Sequence, residues 1–352
     1  MSDLLYSDVE DDLRAGLRAL LAETCAWPDV LAGTEKDAPY DAALWARLTE
    51  MGVTALPVPE TAGGAGASWR EASVVLEELG RAVAPVPFLG AAVLGTAALL
   101  AAGAPDLAAD ASAVLAVPLS TPPGAVLDGV RAADDGRLTG VITAVADAGA
   151  AATLLVPAGD GLYAVDPGAD GVRVTEVVAL DMTRRLSDVA LADAPARRIG
   201  DAEAVTAALT TGAALLAAEQ LGLAERCLEL TVEYVKTRYQ FGRPVGSYQA
   251  LKHRLADLWA SVAQARAVVR YAAGCAASGD PDLPVAAAVA QAHCSAAAVR
   301  AAEECVQMHG GIGFTWEHPA HLYLKRAKSA SLALGTADRH RAALAGLADL
   351  PA

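Results

Sequence analysis

Lys236-Thr-Arg-Tyr-Gln-Phe-Gly-Arg-Pro-Val-Gly-Ser-Tyr-Gln249 and Cys305-Val-Gln-Met-His-Gly-Gly-Ile-Gly-Phe-Thr-Trp316 are the two most informative stretches of the chain. In the first, a long helix is expected to end near Gly242, and Pro244 discourages its resumption. Arg238 then lies in the last turn, beside a loop that exposes backbone groups. A guanidinium there can hold a phosphate through two parallel hydrogen bonds. It can equally be a helix-end cation that complements the dipole. In the second stretch a helix runs into Gly310-Gly311, where side chains vanish and backbone N–H groups become approachable by an anion. Gln307 adds an amide donor. The plainer alternative is a glycine cap between two helices.

Working outward, residues 201–352 read as helical. Segment 201–238 can hold one very long helix. Segment 249–278 holds a second, with Leu251, Leu255, Leu258 and Val262 on one face. An alanine-rich third spans 282–308 and a fourth spans 336–347, which together suggest an antiparallel four-helix bundle. Residues 1–110 also read as helical, with helices at 8–25, 40–51 and 69–83. The first carries Val9, Leu13, Leu17, Leu20 and Leu21 at near-helical spacing, and the last carries Val74, Val75, Leu76 and Leu79. Pro57-Val-Pro-Glu-Thr-Ala-Gly-Gly-Ala-Gly66 breaks the pattern between them. The apolar run 91–102 reads as a short buried helix. From 111 to 200 the texture changes to β-prone runs at 113–117, 137–145, 153–156, 162–165, 172–178 and 186–191, punctuated by Gly136, Gly161, Gly168 and Gly171. Their spacing predicts a small antiparallel sheet domain. The expected fold is mostly α with a small β domain: an N-terminal helical domain (1–110), a central antiparallel β domain (111–200) and a C-terminal four-helix bundle (201–352).

Composition narrows the function. The chain of 352 residues is 54% hydrophobic but only 5% aromatic, much of the rest being alanine, the best helix former. A net charge of −15 lacks the basic footprint that nucleic acid or an anionic membrane surface requires. The first ten residues are acidic where a secretory leader is basic, and no charge-free apolar run is long enough for a membrane span, so a cytoplasmic protein is expected. The five cysteines, Cys25, Cys227, Cys275, Cys294 and Cys305, are scattered and read as reduced thiols. Trp27, Trp45, Trp69 and Trp259 read as packing anchors. His318 and His321 are spaced for two imidazoles to meet, but zinc needs a further ligand and His309 lies across a glycine turn, so no metal is expected.

The two opening stretches taken together resemble the C-terminal domain of the acyl-CoA dehydrogenase flavoprotein family: an arginine, two residues, then Phe-Gly, followed downstream by a glutamine, two residues, then Gly-Gly. Tyr323-Leu-Lys-Arg-Ala-Lys328 resembles the family's next segment, and Pro57 to Gly66 its Pro-Glu-x-x-Gly-Gly turn. The resemblance implies a helical, a β and a bundle domain in that order, FAD as cofactor, and an acyl-CoA substrate. In the family a glutamate takes the α-proton while a hydride passes from the β-carbon to the flavin. Electron-transfer flavoprotein comes into view as the acceptor. The flavin lies between two chains, and the resemblance implies that Arg238, Phe241, Gln307, Gly310 and Gly311, with Gln249 assisting, reach the pyrophosphate and adenosine of a FAD seated mainly on another chain. The resemblance also places Thr336 among the cofactor-binding residues.

The pattern breaks at the base. The family's Glu-Gly-Thr reads Leu334-Gly-Thr336 here, and the alternative base positions on the first bundle helix are Gly212 and Ala213. A positioned base contributes roughly 100- to 10,000-fold in rate. Asp338 stands where the family often carries a neutral residue, and a carboxylate there is expected to repel a pyrophosphate. The family's Thr-Glu-Pro-x-x-Gly-Ser-Asp loop is absent, and Leu138-Thr-Gly-Val-Ile-Thr143 stands in for its Trp-Ile-Thr strand. The losses fall on the chain's own flavin, so a base-lacking subunit paired with a homologous, FAD-holding partner is expected, similar to the heteromeric steroid side-chain dehydrogenases of actinobacteria, whose sequences Gly313-Phe-Thr-Trp-Glu-His318 resembles. The rivals are an active homo-oligomer with its base displaced to Glu219, Glu225, Glu317 or Asp338, and a scaffold without flavin contact. Small residues from Thr210 to Ala214 suggest room for a bulky acyl group.

Overall fold

The computed structural model describes residues 4–38 and 40–348. Helix α1 (Asp8–Thr24) opens with a capping box: the Ser7 hydroxyl accepts from the Glu10 N–H at 3.2 Å, and the Glu10 carboxylate accepts from the Ser7 N–H at 2.7 Å. After α2 (Trp27–Thr34) and α3 (Ala42–Glu50), a second capping box on Ser68 and Glu71 starts α4 (Trp69–Ala82), whose Val74, Val75, Leu76 and Leu79 are all buried. The apolar run that reads as one short helix is two. A π-helix at Phe88–Gly95 leads into α5 (Thr96–Ala101), and both are largely buried.

Eight strands follow: β1 (Ala113–Leu115), β2 (Val130–Ala132), β3 (Leu138–Ala146), β4 (Thr153–Ala158), β5 (Gly161–Val165), β6 (Val172–Val177), β7 (Leu186–Ala194) and β8 (Arg197–Asp201). They form two four-stranded sheets, ordered β1-β4-β5-β8 and β2-β3-β7-β6. The expected antiparallel β domain is present as two sheets, with one correction: β1 pairs with β4 in parallel. Between β1 and β4 the chain passes through β2 and β3 of the other sheet, and that long connection permits a parallel return where a tight hairpin does not. Val114, Leu154 and Val156 of one sheet share a core with Ile142, Val145, Val189 and Leu191 of the other.

Helix α6 (Ala202–Thr237) has 36 residues, about 54 Å at the usual rise. Its most apolar window is 83% buried inside the protein, so its length and composition reflect a place in the core. α6 packs with α7 (Gln249–Ser278) and α8 (Leu283–His309). α9 (Ala320–Leu332) and α10 (Ala337–Leu347) both lie against α8, so the bundle carries one helix more than its sequence pattern suggests.

Buried charges tie the domains together. Arg326 of α9 reaches Asp181 at 3.3 Å and donates to the Ala84 carbonyl at 2.8 Å; Arg184 meets Glu219 of α6 at 2.5 Å. Asp147 accepts from the Gly90 N–H at 3.0 Å, fixing the π-helix to the sheet. All five cysteines are buried and unpaired.

Candidate functional site

The helix expected to end near Gly242 ends at Thr237, and a tight hairpin takes over. Tyr239 pairs with Pro244 and Gln240 with Arg243, leaving Phe241 and Gly242 as the two turn residues, with φ of 53° and 78°. Two positive φ values define the turn type that best fits a twisted hairpin, and it normally takes asparagine or glycine. A phenylalanine is strained there, and at 91% exposure it gains no burial within the chain. Strain of this kind, held at a surface tip, points to a contact made outside the chain.

Arg238 is exposed at the base of this hairpin, and its guanidinium has no hydrogen bond or ion pair among the described residues. Opposite it, α8 stops at His309. Gly310 takes φ 63° and ψ −137°, a conformation that L side chains avoid. A Cβ added at Gly310 or Gly311 would meet nothing within 4 Å, so the turn is bare and open. Arg238, Gln307, Gly310 and Gly311 line one cleft of about 320 Å³, together with Tyr234, Arg254 and His309. Phe241 stands on the adjoining hairpin. Gln249 is the first residue of α7, two positions before Leu251 in the wall.

Thr336 is elsewhere. It caps α10, accepting from the Arg339 N–H at 3.4 Å, and lines a second cleft of about 530 Å³ between the sheets and α9–α10. Ser120, Thr121 and Thr143 share that wall. Ser120 and Thr121 are not legible in the sequence, because the loop after β1 carries no recognised motif. Asp338 is not among the residues of that wall: its side chain is 90% exposed and bonds Arg341 at 2.7 Å.

The base positions form a closed apolar knot. Leu334 is fully buried with φ 54°, and its N–H donates to the Leu119 carbonyl at 2.7 Å. A Cβ built on Gly212 would stand 2.3 Å from Leu94 Cδ2 and 3.3 Å from Leu334 Cδ1. Positions 212 and 334 thus meet beside the Leu94 side chain. Of the run from Thr210 to Ala214, Thr210 lines an open cleft beside α10. The displaced-base candidates are occupied or remote. Glu219 is held by Arg184 at 2.5 Å and Arg326 at 3.6 Å; Glu225 is held by Arg266 at 2.5 Å and Arg81 at 3.4 Å. Glu317 is exposed on the loop beyond the glycine turn.

Two further readings are corrected. Trp259 is 65% exposed on α7 and anchors nothing within the chain, whereas Trp45 packs edge-on to Phe88. His309 is not separated from His318 by the glycine turn, since their rings lie 4.2 Å apart. Burial, then the nearby His309 and His321, push His318 down to about 4, so it is neutral at neutral pH. No group of three His, Cys, Asp or Glu side chains among the described residues is placed to hold a metal ion.

The family models of the acyl-CoA dehydrogenase N-terminal domain and C-terminal domain match residues 7–111 and 202–346. The chain belongs to the acyl-CoA dehydrogenase family. Acyl-CoA dehydrogenase IpdE2 of Mycobacterium tuberculosis is 41% identical over 328 residues, spanning 90% of this chain and 89% of that protein. The crystal structure of the ChsE4-ChsE5 complex from the same organism superposes with a TM-score of 0.89 at 31% identity, covering 99% of this chain and all of that one. The Tcur3481-Tcur3483 steroid ACAD, solved as a point variant, superposes with a TM-score of 0.87 at 31% identity over 97% of this chain and 98% of its own. Acyl-CoA dehydrogenases use FAD. In this family member the 320 Å³ cleft offers a guanidinium with no partner among the described residues, an amide and a bare glycine turn, a donor set that fits a pyrophosphate.

Proposed function

We propose that this chain is the base-lacking subunit of a heteromeric, cytoplasmic acyl-CoA dehydrogenase, and that it completes the FAD site of a homologous catalytic partner. The observation that carries the reading is the contrast between two sites in one molecule. The positions where the family keeps its base are filled by Leu334 and Leu94 around Gly212, while Arg238 and the Gly310-Gly311 turn stay open and unpaired. FAD, when bound, takes up the electrons of an α,β-desaturation of an acyl-CoA thioester. This chain's part is to bind and orient. The Arg238 guanidinium neutralises phosphate charge, the glycine turn admits phosphate oxygens to the backbone, Gln307 donates an amide hydrogen bond, and Phe241 covers the cofactor and excludes water. Removal of the substrate proton then falls to the partner. The similarity to a steroid ACAD supports a bulky, polycyclic acyl group in the partner's pocket.

A second reading rests on the hydroxyl-lined 530 Å³ cleft around Thr336, which could seat a flavin of the chain's own. One experiment separates the two. The visible spectrum is recorded for the chain alone and for the chain co-purified with a homologous partner. A flavin band only in the pair, near one FAD per two chains, supports the lending subunit. A full flavin complement in the isolated chain favours the second reading and ends the first.

A further inference from the structure

The ring of His309 is unlike the other polar groups of the lending cleft. It ends α8, where the helix dipole favours a cation. It is 3% exposed and stacked between Tyr234, at 4.3 Å, and His318, at 4.2 Å. Its Nδ1 is 2.6 Å from the Cys305 carbonyl and therefore carries the proton that this oxygen accepts. That leaves Nε2, which has no hydrogen-bond partner among the described residues and is not sealed by protein, on a side chain that lines the cleft. Nε2 is then the position where a second proton is gained or lost.

The surroundings make that proton matter. From α6 the cleft receives Arg238 and the Tyr234 ring, and Cys227 lies behind. From α7 it receives Arg254, whose charge is offset by Glu304 of α8 at 2.6 Å. From α8 comes Cys305, whose Sγ is 3.6 Å from His309 Nδ1. From the segment after the glycine turn comes His318, neutral at neutral pH. Among the described residues that line the cleft, Arg238 is the cation without an ion-pair partner, and it faces a ligand group that carries two negative charges. A protonated His309 supplies the second.

We propose that His309 is a titratable anion contact of the lent cofactor cleft, so that the heteromer's grip on the pyrophosphate of FAD tightens when His309 takes up a proton. The inference rests on the lending reading above. The ionic contact spans several ångströms between a buried ring and a cleft open to solvent, where a unit charge changes affinity by about tenfold.

The test uses the co-purified complex and reads FAD affinity rather than turnover. FAD is removed and rebound between pH 5.5 and 8.5, by flavin fluorescence quenching. Calorimetry in two buffers of different ionisation enthalpy counts protons taken up on binding. The expected results are an affinity about tenfold weaker at the alkaline end and net proton uptake in the midrange, with both reduced in His309→Gln. Arg238→Ala should weaken binding at every pH and leave the slope in place. Proton uptake is measured on the unaltered protein, so a variant that fails to fold does not decide the matter. A complex that binds FAD with no proton uptake, or with a slope unchanged in a folded His309→Gln, overturns the role of His309 and leaves the lending cleft standing. A complex that holds no FAD at any pH overturns both.

Discussion

Leu334 sits in a three-residue apolar knot: a side chain at Gly212 would run into Leu94 and approach Leu334, so the three positions are packed as one unit. Alanine at 212 would gain about 1 kcal/mol of helix propensity, yet its methyl must displace Leu94 in a buried site, an overpacking cost of about 1–3 kcal/mol. Gly212→Ala is therefore expected to lower the melting temperature, and Leu94→Ala to cost about 2–5 kcal/mol on its own. The double variant should be less destabilised than the two single costs added, because the new methyl fills the space that Leu94 vacates. Strict additivity in the denaturation midpoints would mean that the residues do not meet as described. Arg238 is the opposite kind of residue. Its guanidinium is exposed and unpaired, so Arg238→Ala should leave the isolated chain's stability within about 0.5 kcal/mol while lowering the flavin content of the co-purified complex. A large stability loss in the chain alone would place Arg238 in the fold instead of the site.

At the scale of elements, titratable groups join the N-terminal helices to the bundle. Tyr6 donates to Glu77 of α4 at 2.8 Å, Arg14 of α1 meets Glu77 at 2.7 Å, and the fully buried Arg270 of α7 meets Glu10 of α1 at 2.5 Å. Burial raises Glu77 to about 7 against the pull of Arg14 and Tyr6. Burial would also raise Glu10, but hydrogen bonds from Arg70, the Ser7 N–H and Arg270 outweigh it and hold the group at about 2. The signs are opposite. Glu77 binds its proton more tightly when folded, so its contribution is present at low pH and is lost as pH rises from its usual 4.5 through about 7. Glu10's contribution is present above 4.5 and is lost as pH falls toward 2. Thermal stability should peak on the acidic side of neutrality, and Glu77→Gln should flatten the alkaline limb between pH 5 and 7 in melting scans. An unchanged limb would assign that limb to other groups, Asp147 among them, which burial raises to about 6.

These charged joints also explain what the sequence leaves illegible. α7 is read from end to end because its apolar stripe and flanking glycine are local signals. α9 escapes notice because Arg326, a core residue here, interrupts the apolar pattern as a surface charge would. β8, with its two arginines and a terminal aspartate, lacks the alternation of a half-buried strand, and β2 buries one residue of three. Within the site, the residues that converge on the 320 Å³ cleft were legible because arginine, glutamine and paired glycines have no packing reason to recur together. The hairpin that presents Phe241 was not, since a phenylalanine at a left-handed turn position contradicts local preference.

For the whole molecule, that contradiction bears on the proposed heteromer and on which surface of this chain would meet its partner. Phe241, Tyr239, Phe314 and Trp316 are all more than half exposed on the segments that border the lending cleft. In an isolated chain Phe241 is a net cost: a left-handed backbone is unfavourable by about 1–2 kcal/mol for an L side chain, with no burial to set against it. Glycine at this position removes that strain and adds about 0.5–1 kcal/mol of unfolded-state entropy. Phe241→Gly should therefore leave the isolated chain's melting temperature unchanged or slightly higher. In the co-purified complex the same variant removes the ring that covers the cofactor, so FAD should dissociate more readily and the partner's melting temperature should lose part of its flavin-dependent rise. A gain in one measurement with a loss in the other is the signature of a residue kept for a contact outside its own chain. A variant that weakens the isolated chain, or leaves flavin retention untouched, would instead make the hairpin an ordinary structural turn.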